Sequence, residues 1–426
     1  MFFLFFNICV LLLYYSSKLE QNKSLLIIGK VWPEPNSSAA GARMMQLIDL
    51  FQKLGYHITF ASSAKESFFQ FDLNQLNVSI QKIELNSVSF DDFISKLNPG
   101  VVVFDRFLSE EQFGWRVIEQ CPNAFRILNT EDLHFLRRAR KVSIKNRGDL
   151  SSVNLRTEDA VREISSIYRS DLTLLVSDFE QDLLCSEFNI PHSILFYLPL
   201  FAQKNTELKP SFEERDGFIF IGNYNHEPNL DALCFLKEVI WPKIKIKIPN
   251  VVLNVYGAYP SKKVLDFNKP DEYFIVHGRV ENAMDVTLSS RVSLAPLRFG
   301  AGVKGKLIEA MIAGTPSVTT SIGVEGIAFK ENWCGIATDN IDDFVSGAVS
   351  LYEDEKLWNK YHLRGFEIIE ERFKAEIYFE GFEKRLIEIQ NDIESHRKQY
   401  FIQQLVQHQT LMSNRFLSKW IEEKNK

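Results

Sequence analysis

The sequence predicts an α/β protein of two successive domains, each a parallel sheet covered by helices on both faces. Three observations carry that prediction. From residue 24 onward, short runs of Leu, Ile, Val and Phe alternate with amphipathic helical stretches, as strands buried on both faces require. The alternation breaks at residues 201–217, a polar stretch rich in Lys, Glu and Pro, and then restarts. The length of 426 residues suits two domains at roughly 100–200 residues each. Apolar residues at 45% and charged residues at 24% exclude a disordered or fibrous chain. A balance of 49 Lys and Arg against 55 acids, net −6, argues against a nucleic-acid partner. Five isolated cysteines (Cys9, Cys121, Cys185, Cys234, Cys334) make neither a disulfide framework nor a zinc site, and they favour a reducing, cytoplasmic setting.

Each element follows from its residues. The first 15 are almost wholly apolar, but a spanning helix needs about 20. Residues 1–23 therefore read as a short membrane anchor, a degenerate signal, or translated sequence upstream of the true start. Residues 25–29 form an apolar strand ending in Gly29, and a Pro/Asn/Ser loop follows. Met44, Leu47, Ile48 and Phe51 then make the stripe of a helix laid on a sheet, which Gly55 stops. Further first-domain strands are expected at 57–61, 101–104, 125–128 and 172–176. In the second domain they are expected at 218–221, 251–256, 274–276, 292–295 and 317–319, spaced as βαβ units. From 342 the chain is mostly helical; the stretch after Phe373 is long, charged and amphipathic, able to pack on either domain or on a partner. The expected divisions are 1–23, 24–205, 206–375 and 376–426. Two such domains enclose a cleft, and ligands sit at the carboxyl ends of the strands facing it.

The most informative stretch is strand, loop, helix: Pro296-Leu297-Arg298-Phe299-Gly300-Ala301-Gly302-Val303-Lys304-Gly305-Lys306, a helix to Ala313, then Gly314-Thr315-Pro316. Glycines ahead of a helix let the backbone approach a ligand and expose its N–H groups. Arg291, Arg298, Lys304 and Lys306 all precede the first acid, Glu309. Cations at a helix N-terminus oppose the macrodipole, and a bound phosphate or diphosphate removes the conflict. The stretch reads as an anion site or as a solvated basic loop. Glu309, one turn in, is a surface charge or a partner for ribose hydroxyls.

The segment from Ser293 to Ala310, with Gly314-Thr315-Pro316 and Gly323-Val324-Glu325-Gly326, closely resembles the donor-site block of family 4 glycosyltransferases of GT-B fold. Phe220-Ile221-Gly222-Asn223-Tyr224-Asn225-His226-Glu227-Pro228-Asn229 is similar to the start of that family's second domain. Pro33-Glu34-Pro35 through Ala40-Gly41-Ala42-Arg43 resembles its first loop, and the likeness covers about residues 24–375. The resemblance implies two Rossmann-like domains facing a cleft, the first for the acceptor and the second for a nucleotide-diphosphate sugar. It implies transfer to a glycan, lipid-linked or other hydroxyl acceptor, with retention, with no metal and with no cofactor beyond the donor substrate. It also admits peripheral membrane association. A nucleotide-sugar epimerase or a non-catalytic sugar-nucleotide binder on the same fold remains as an alternative.

Residue by residue, Glu309 matches the second of two family glutamates, the one at the nucleotide ribose. The first falls on Ala301, a departure shared by a subgroup with the Gly-Ala-Gly-Val-Lys pattern. The likeness assigns Arg298, Lys304 and Lys306 to the diphosphate. Gly41, Gly222, Asn223, Gly300, Gly302 and Val303 join them around the donor. Asn223, Asn225 and His226 stand where many members have a basic residue. On the acceptor side, Asn129-Thr130-Glu131-Asp132-Leu133-His134 follows a buried strand. His134 is the expected catalytic histidine, with Asp132 and Glu131 orienting it. Asp105 and Arg106 end a neighbouring strand. Arg137 and Arg138 open a basic run that reads as a solvated helix face or as a holder of a phosphorylated or anionic-lipid acceptor.

Overall fold

The computed structural model describes residues 22–203 and 210–424, so the apolar start lies outside the described residues. Its first domain holds seven parallel strands: β1 (Ser24–Gly29), β2 (His57–Ser62), β3 (Ser79–Lys82), β4 (Val101–Asp105), β5 (Phe125–Asn129), β6 (Leu172–Leu175) and β7 (Leu195–Tyr197). They pair in the order β3-β2-β1-β4-β5-β6-β7. Leu26 registers with Thr59 on one side and Val102 on the other. The second domain holds β8 (Asp216–Ile221), β9 (Leu253–Tyr256), β10 (Phe274–Gly278), β11 (Ser290–Ala295), β12 (Ser317–Thr319) and β13 (Gly335–Ala337). Their order is β10-β9-β8-β11-β12-β13.

The fold places the cleft through one shared feature. In both sheets the strand order reverses beside the first strand, between β1 and β4 and between β8 and β11. Loops leaving the two strands on either side of such a point diverge to opposite faces and open a crevice at the carboxyl ends. The sequence runs supply the strands directly: Leu25, Leu26, Ile27 and Ile28 are all buried, as are Val101, Val102 and Val103. Three strands go beyond the expected set. β3, β7 and β13 are short, and each closes one edge of a sheet. An edge strand needs no continuous apolar run, so it leaves no such signal.

The chain crosses between domains twice at one place. The amide of Ala202, on the outward crossing, donates to the carbonyl of Phe373 on the return, 2.8 Å away. After the return, the helix Glu376–Asn391 packs on the first domain, not on the second that precedes it. Phe382, Leu386 and Ile389 enter the first domain's core, and the Phe382 ring meets Phe51 edge-on at 5.7 Å. Arg397 then donates to buried Asp171 at 2.8 Å and to the carbonyls of Pro122 and Ala124. Residues 376–424 are thus part of the first domain's outer layer.

Phe382→Ala empties a fully buried aromatic site and should destabilise the first domain by about 3–5 kcal/mol. Denaturant unfolding read separately for each domain checks this: the first transition moves, and the second stays where it is.

Candidate active site

A cavity of about 690 Å³ lies between the two sheets at both reversal points. Its floor on the first-domain side is made by residues that end or follow β1, β4 and β5: Lys30, Asp105, Arg106, Glu131, Asp132 and His134. Arg106 and Glu131 sit there with φ of +70° and +64°. Non-glycine residues in this region cost about 1–3 kcal/mol, and such strain gathers at functional sites.

Two helix N-termini meet across the cavity. One begins the helix Ala39–Lys53, capped by Ser38, and the other begins the helix Gly305–Ala313. A Cβ added at Gly305 would stand 2.5 Å from that of Ala39, so the two ends are in contact. A Cβ at Gly41 would collide with the backbone of Glu34, so only glycine lets the first loop fold over this helix. Neither helix carries an acid in its first turn. Both therefore present unneutralised partial positive charge to the same space.

Lys304 and Lys306 add full charges. The Lys304 amine is buried, donates to the carbonyl of Gly302 at 2.7 Å and stands 4.0 Å from Glu325. The Lys306 amine donates to Asn229 at 2.7 Å and lies 4.8 Å over the Phe220 ring. Burial lowers the two ammonium groups to about 8 and about 7 respectively. Glu309 also lines the cavity, and burial raises its carboxyl to about 7 against the pull of Lys306.

His134 opens the helix His134–Arg147, which has no side-chain cap of its own. Instead Glu163, from the helix Glu158–Arg169, accepts from the amides of His134 and Phe135 at 3.1 and 2.9 Å. The ring stands edge-on to Phe107 at 5.4 Å, and its Nε2 faces an Asp132 oxygen at 3.4 Å. Burial, then the charges of Arg106 and Lys30, push its pKa down to about 2, so the imidazole is neutral. Asp132 also accepts from Arg137. Beside it, Glu131 accepts from Asn129 at 2.7 Å; burial, then Asp105, raises its carboxyl to about 7.

The expected residues divide clearly. His134, Asp132, Glu131, Asp105, Arg106 and Arg137 line the cavity from one side. Gly41 joins Gly222, Asn223, Gly300, Val303, Lys304, Lys306 and Glu309 around the rest. Three side chains or groups go elsewhere. Arg298, expected at the diphosphate, instead pairs with Asp231 and stacks 5.0 Å from the Phe235 ring, outside the cavity. Arg138, expected at the acceptor, pairs with Asp159 on the surface. Gly302, with φ of +62°, gives its amide to Glu180 at 2.7 Å instead of to the cavity. A Cβ there would lie 2.8 Å from that of Asp132, so the glycine serves the contact between domains.

That contact escaped the sequence reading. Glu180, fully buried in the first domain, accepts from Leu133 at 3.0 Å as well as from Gly302. Arg140 donates to both oxygens of Glu325 at 2.8 and 2.7 Å and to the carbonyl of Gly300 at 2.8 Å. The glycine loop is therefore held at both ends by the opposite domain. Lys30 and Asn229 were missed too. Lys30 had a signal, since it directly follows the glycine that ends β1.

Residues 215–354 match the family model described as Glycosyl transferases group 1. The chain carries a glycosyltransferase domain. No curated protein gives a significant match. Among solved structures, the fold is similar to sucrose-phosphate synthase from Thermosynechococcus elongatus, at 12% identity and TM-score 0.63, covering 86% of this chain and 98% of that one. A glycosyltransferase from Rickettsia africae is similar at 11% identity and TM-score 0.64, covering 87% and 99%. HepE from Anabaena, solved with UDP and glucose, is similar at 11% identity and TM-score 0.60, covering 85% and 98%. These likenesses establish the GT-B fold for the glycosyltransferase. Among the described residues, no group of three His, Cys, Asp or Glu is placed to hold a metal ion.

Arg140→Ala should leave Glu325 facing Lys304 alone and remove one of the two clamps on the loop, leaving only that of Glu180 on Gly302. Small-angle scattering should then show a larger radius of gyration. Exchanging the pair, Arg140→Glu with Glu325→Arg, should recover part of the compact form.

Proposed function

We propose that this glycosyltransferase moves a sugar from a nucleotide-diphosphate sugar to a hydroxyl acceptor, as family 4 members do, with retention of configuration and without a metal. The observation that carries the reading is the pairing of two helix N-termini with Lys304 and Lys306 around one cavity. Breaking an anomeric bond develops negative charge on the departing diphosphate. Fixed donors in a water-poor site stabilise that charge more than water does. The amides of the helix Gly305–Ala313 and the two ammonium groups serve this role. Glu309, one turn further, accepts from the ribose. UDP is the first nucleotide to test, since HepE, of similar fold, was solved with UDP and glucose.

The acceptor lies against the first-domain floor. Neutral His134 is held by Glu163 below and Asp132 beside it, and it faces the reacting carbon. The carboxyl groups of Asp105 and Glu131 read acceptor hydroxyls, and Arg106 and Arg137 favour an acceptor carrying negative charge. The departing phosphate takes the acceptor proton. Closure of the domains excludes water and limits hydrolysis.

Lys306→Ala should lower turnover at least roughly tenfold with the fold intact, as removal of a leaving-group stabiliser does. His134→Ala should impair transfer far more than UDP binding. Transfer is measured with labelled UDP-, GDP- and dTDP-sugars; normal rates in both variants reject the assignment.

UDP affinity should fall as pH rises through 7 to 8. Lys306, at about 7, and Lys304, at about 8, lose their protons over that range, while Glu309, at about 7, gains its charge. All three changes make the free site less positive, so binding at pH 8 takes up protons. Calorimetry in buffers of different ionisation enthalpy reads that uptake directly.

A further inference from the structure

The last helix, Phe401–Lys424, is amphipathic with its faces reversed. The side packed on the first domain is mostly polar, with Val406 its one apolar contact to the core among the described side chains. Gln403 is buried and donates to the carbonyl of Ser170 at 2.9 Å. Buried Ser418 accepts from Arg116, which also pairs with Glu422, and Arg415 pairs with Glu119 at 2.7 Å. The opposite side is apolar and open. Phe401, Leu405, Met412, Phe416 and Trp420 recur at spacings of four and seven residues and share one stripe. Phe401, Phe416 and Trp420 are 69%, 60% and 60% exposed. At 1.5 Å per residue the stripe runs about 29 Å. A rail this long, clamped to the body by ion pairs, is too exposed to be scattered surface hydrophobicity.

A second apolar segment joins the protein at the same edge. Asn22, the first described residue, donates to the carbonyl of Asn98 at 2.7 Å. Ser95, on the same turn of chain, bonds Gln120, whose neighbour Glu119 holds Arg415 of the last helix. Residues 1–15, almost wholly apolar, are thus separated from this layer by residues 16–21, which span at most about 20 Å.

We propose that the exposed stripe of the last helix docks this protein on a lipid surface, lying in the plane of the membrane. Among the described residues no helix is long and apolar enough to cross it. An interfacial helix needs an apolar face, with aromatic and cationic groups at the headgroup level. Trp420 supplies the first and exposed Lys419 and Lys424 supply the second, the Lys424 amine standing 5.3 Å from the Trp420 ring. A lipid surface can take up both the stripe and an apolar start tethered to the same layer at Asn22. The inference is independent of the donor chemistry.

Flotation of the full chain with phosphatidylcholine vesicles, with and without a third of phosphatidylglycerol, tests it. The wild type should float in both, more strongly with the anionic lipid. Phe416→Ser with Trp420→Ser should cut partitioning by ~tenfold or more, since two large apolar side chains leave the interface. Phe68→Ser, at a still more exposed position elsewhere, should change nothing. Both substituted sites are exposed, so thermal unfolding should stay unaltered. Failure of the wild type to float overturns the proposal. So does flotation that survives the double substitution, which assigns binding to residues 1–15 alone. A concentration-dependent dimer abolished by the same double substitution, without flotation, assigns the stripe to a second copy of the chain.

Discussion

A buried ammonium group is costly unless an anion stands beside it, and the cavity between the sheets holds a buried one, Lys304, and a half-buried one, Lys306. Lys304 and Lys306 sit where a helix already turns its amides outward, and a second helix N-terminus faces them across the same space. The depressed ammonium pKa values express that cost. The nearest acids relieve it only in part. Arg140 takes both oxygens of Glu325, which leaves Lys304 at 4.0 Å from the nearer one. Glu309 is itself pushed toward its neutral form. An anion entering the cavity would restore these ammonium groups to full charge.

The same arrangement ties the cavity to the meeting of the domains. The second domain supplies the glycine loop, but its ends are held from the first, at Gly300 by Arg140 and at Gly302 by Glu180. The two crossings between domains lie side by side at Ala202 and Phe373, the geometry of a hinge. Opening that hinge removes both clamps at once. Loop shape and domain closure therefore belong to one equilibrium, and a ligand that prefers the shaped loop draws the domains together.

Much of this was legible in the residues. The central strands announced themselves because burial on both faces demands unbroken apolar runs, as in Leu25 to Ile28. Lys304, Lys306 and Glu309 were legible because a helix start with cations and no acid is anomalous. Arg298 carried the same signal as Lys304 and went elsewhere. Its position before the glycines aims it at Asp231, a partner 67 residues away that no local pattern reveals. Arg138 and Arg140 looked alike within one basic run. Helical spacing put one against solvent and Asp159, the other against Glu325. Glu180 left no mark at all, since its meaning lies in an amide of the opposite domain.

The return of the chain to the first domain gives the two halves unequal roles. Phe382 and Arg397 fasten the final helices to the first domain's core and to Asp171, while the second domain keeps only its two crossings and the cleft contacts. The last helix makes this attachment largely with polar residues and leaves most of its apolar ones outward, the opposite of what a core-forming helix does. Any surface that takes up that apolar side holds the first domain, and with it the His134 floor, in a fixed orientation. The second domain, joined to the first by the two crossings and the cleft contacts alone, is then the half that moves to open and close the cavity.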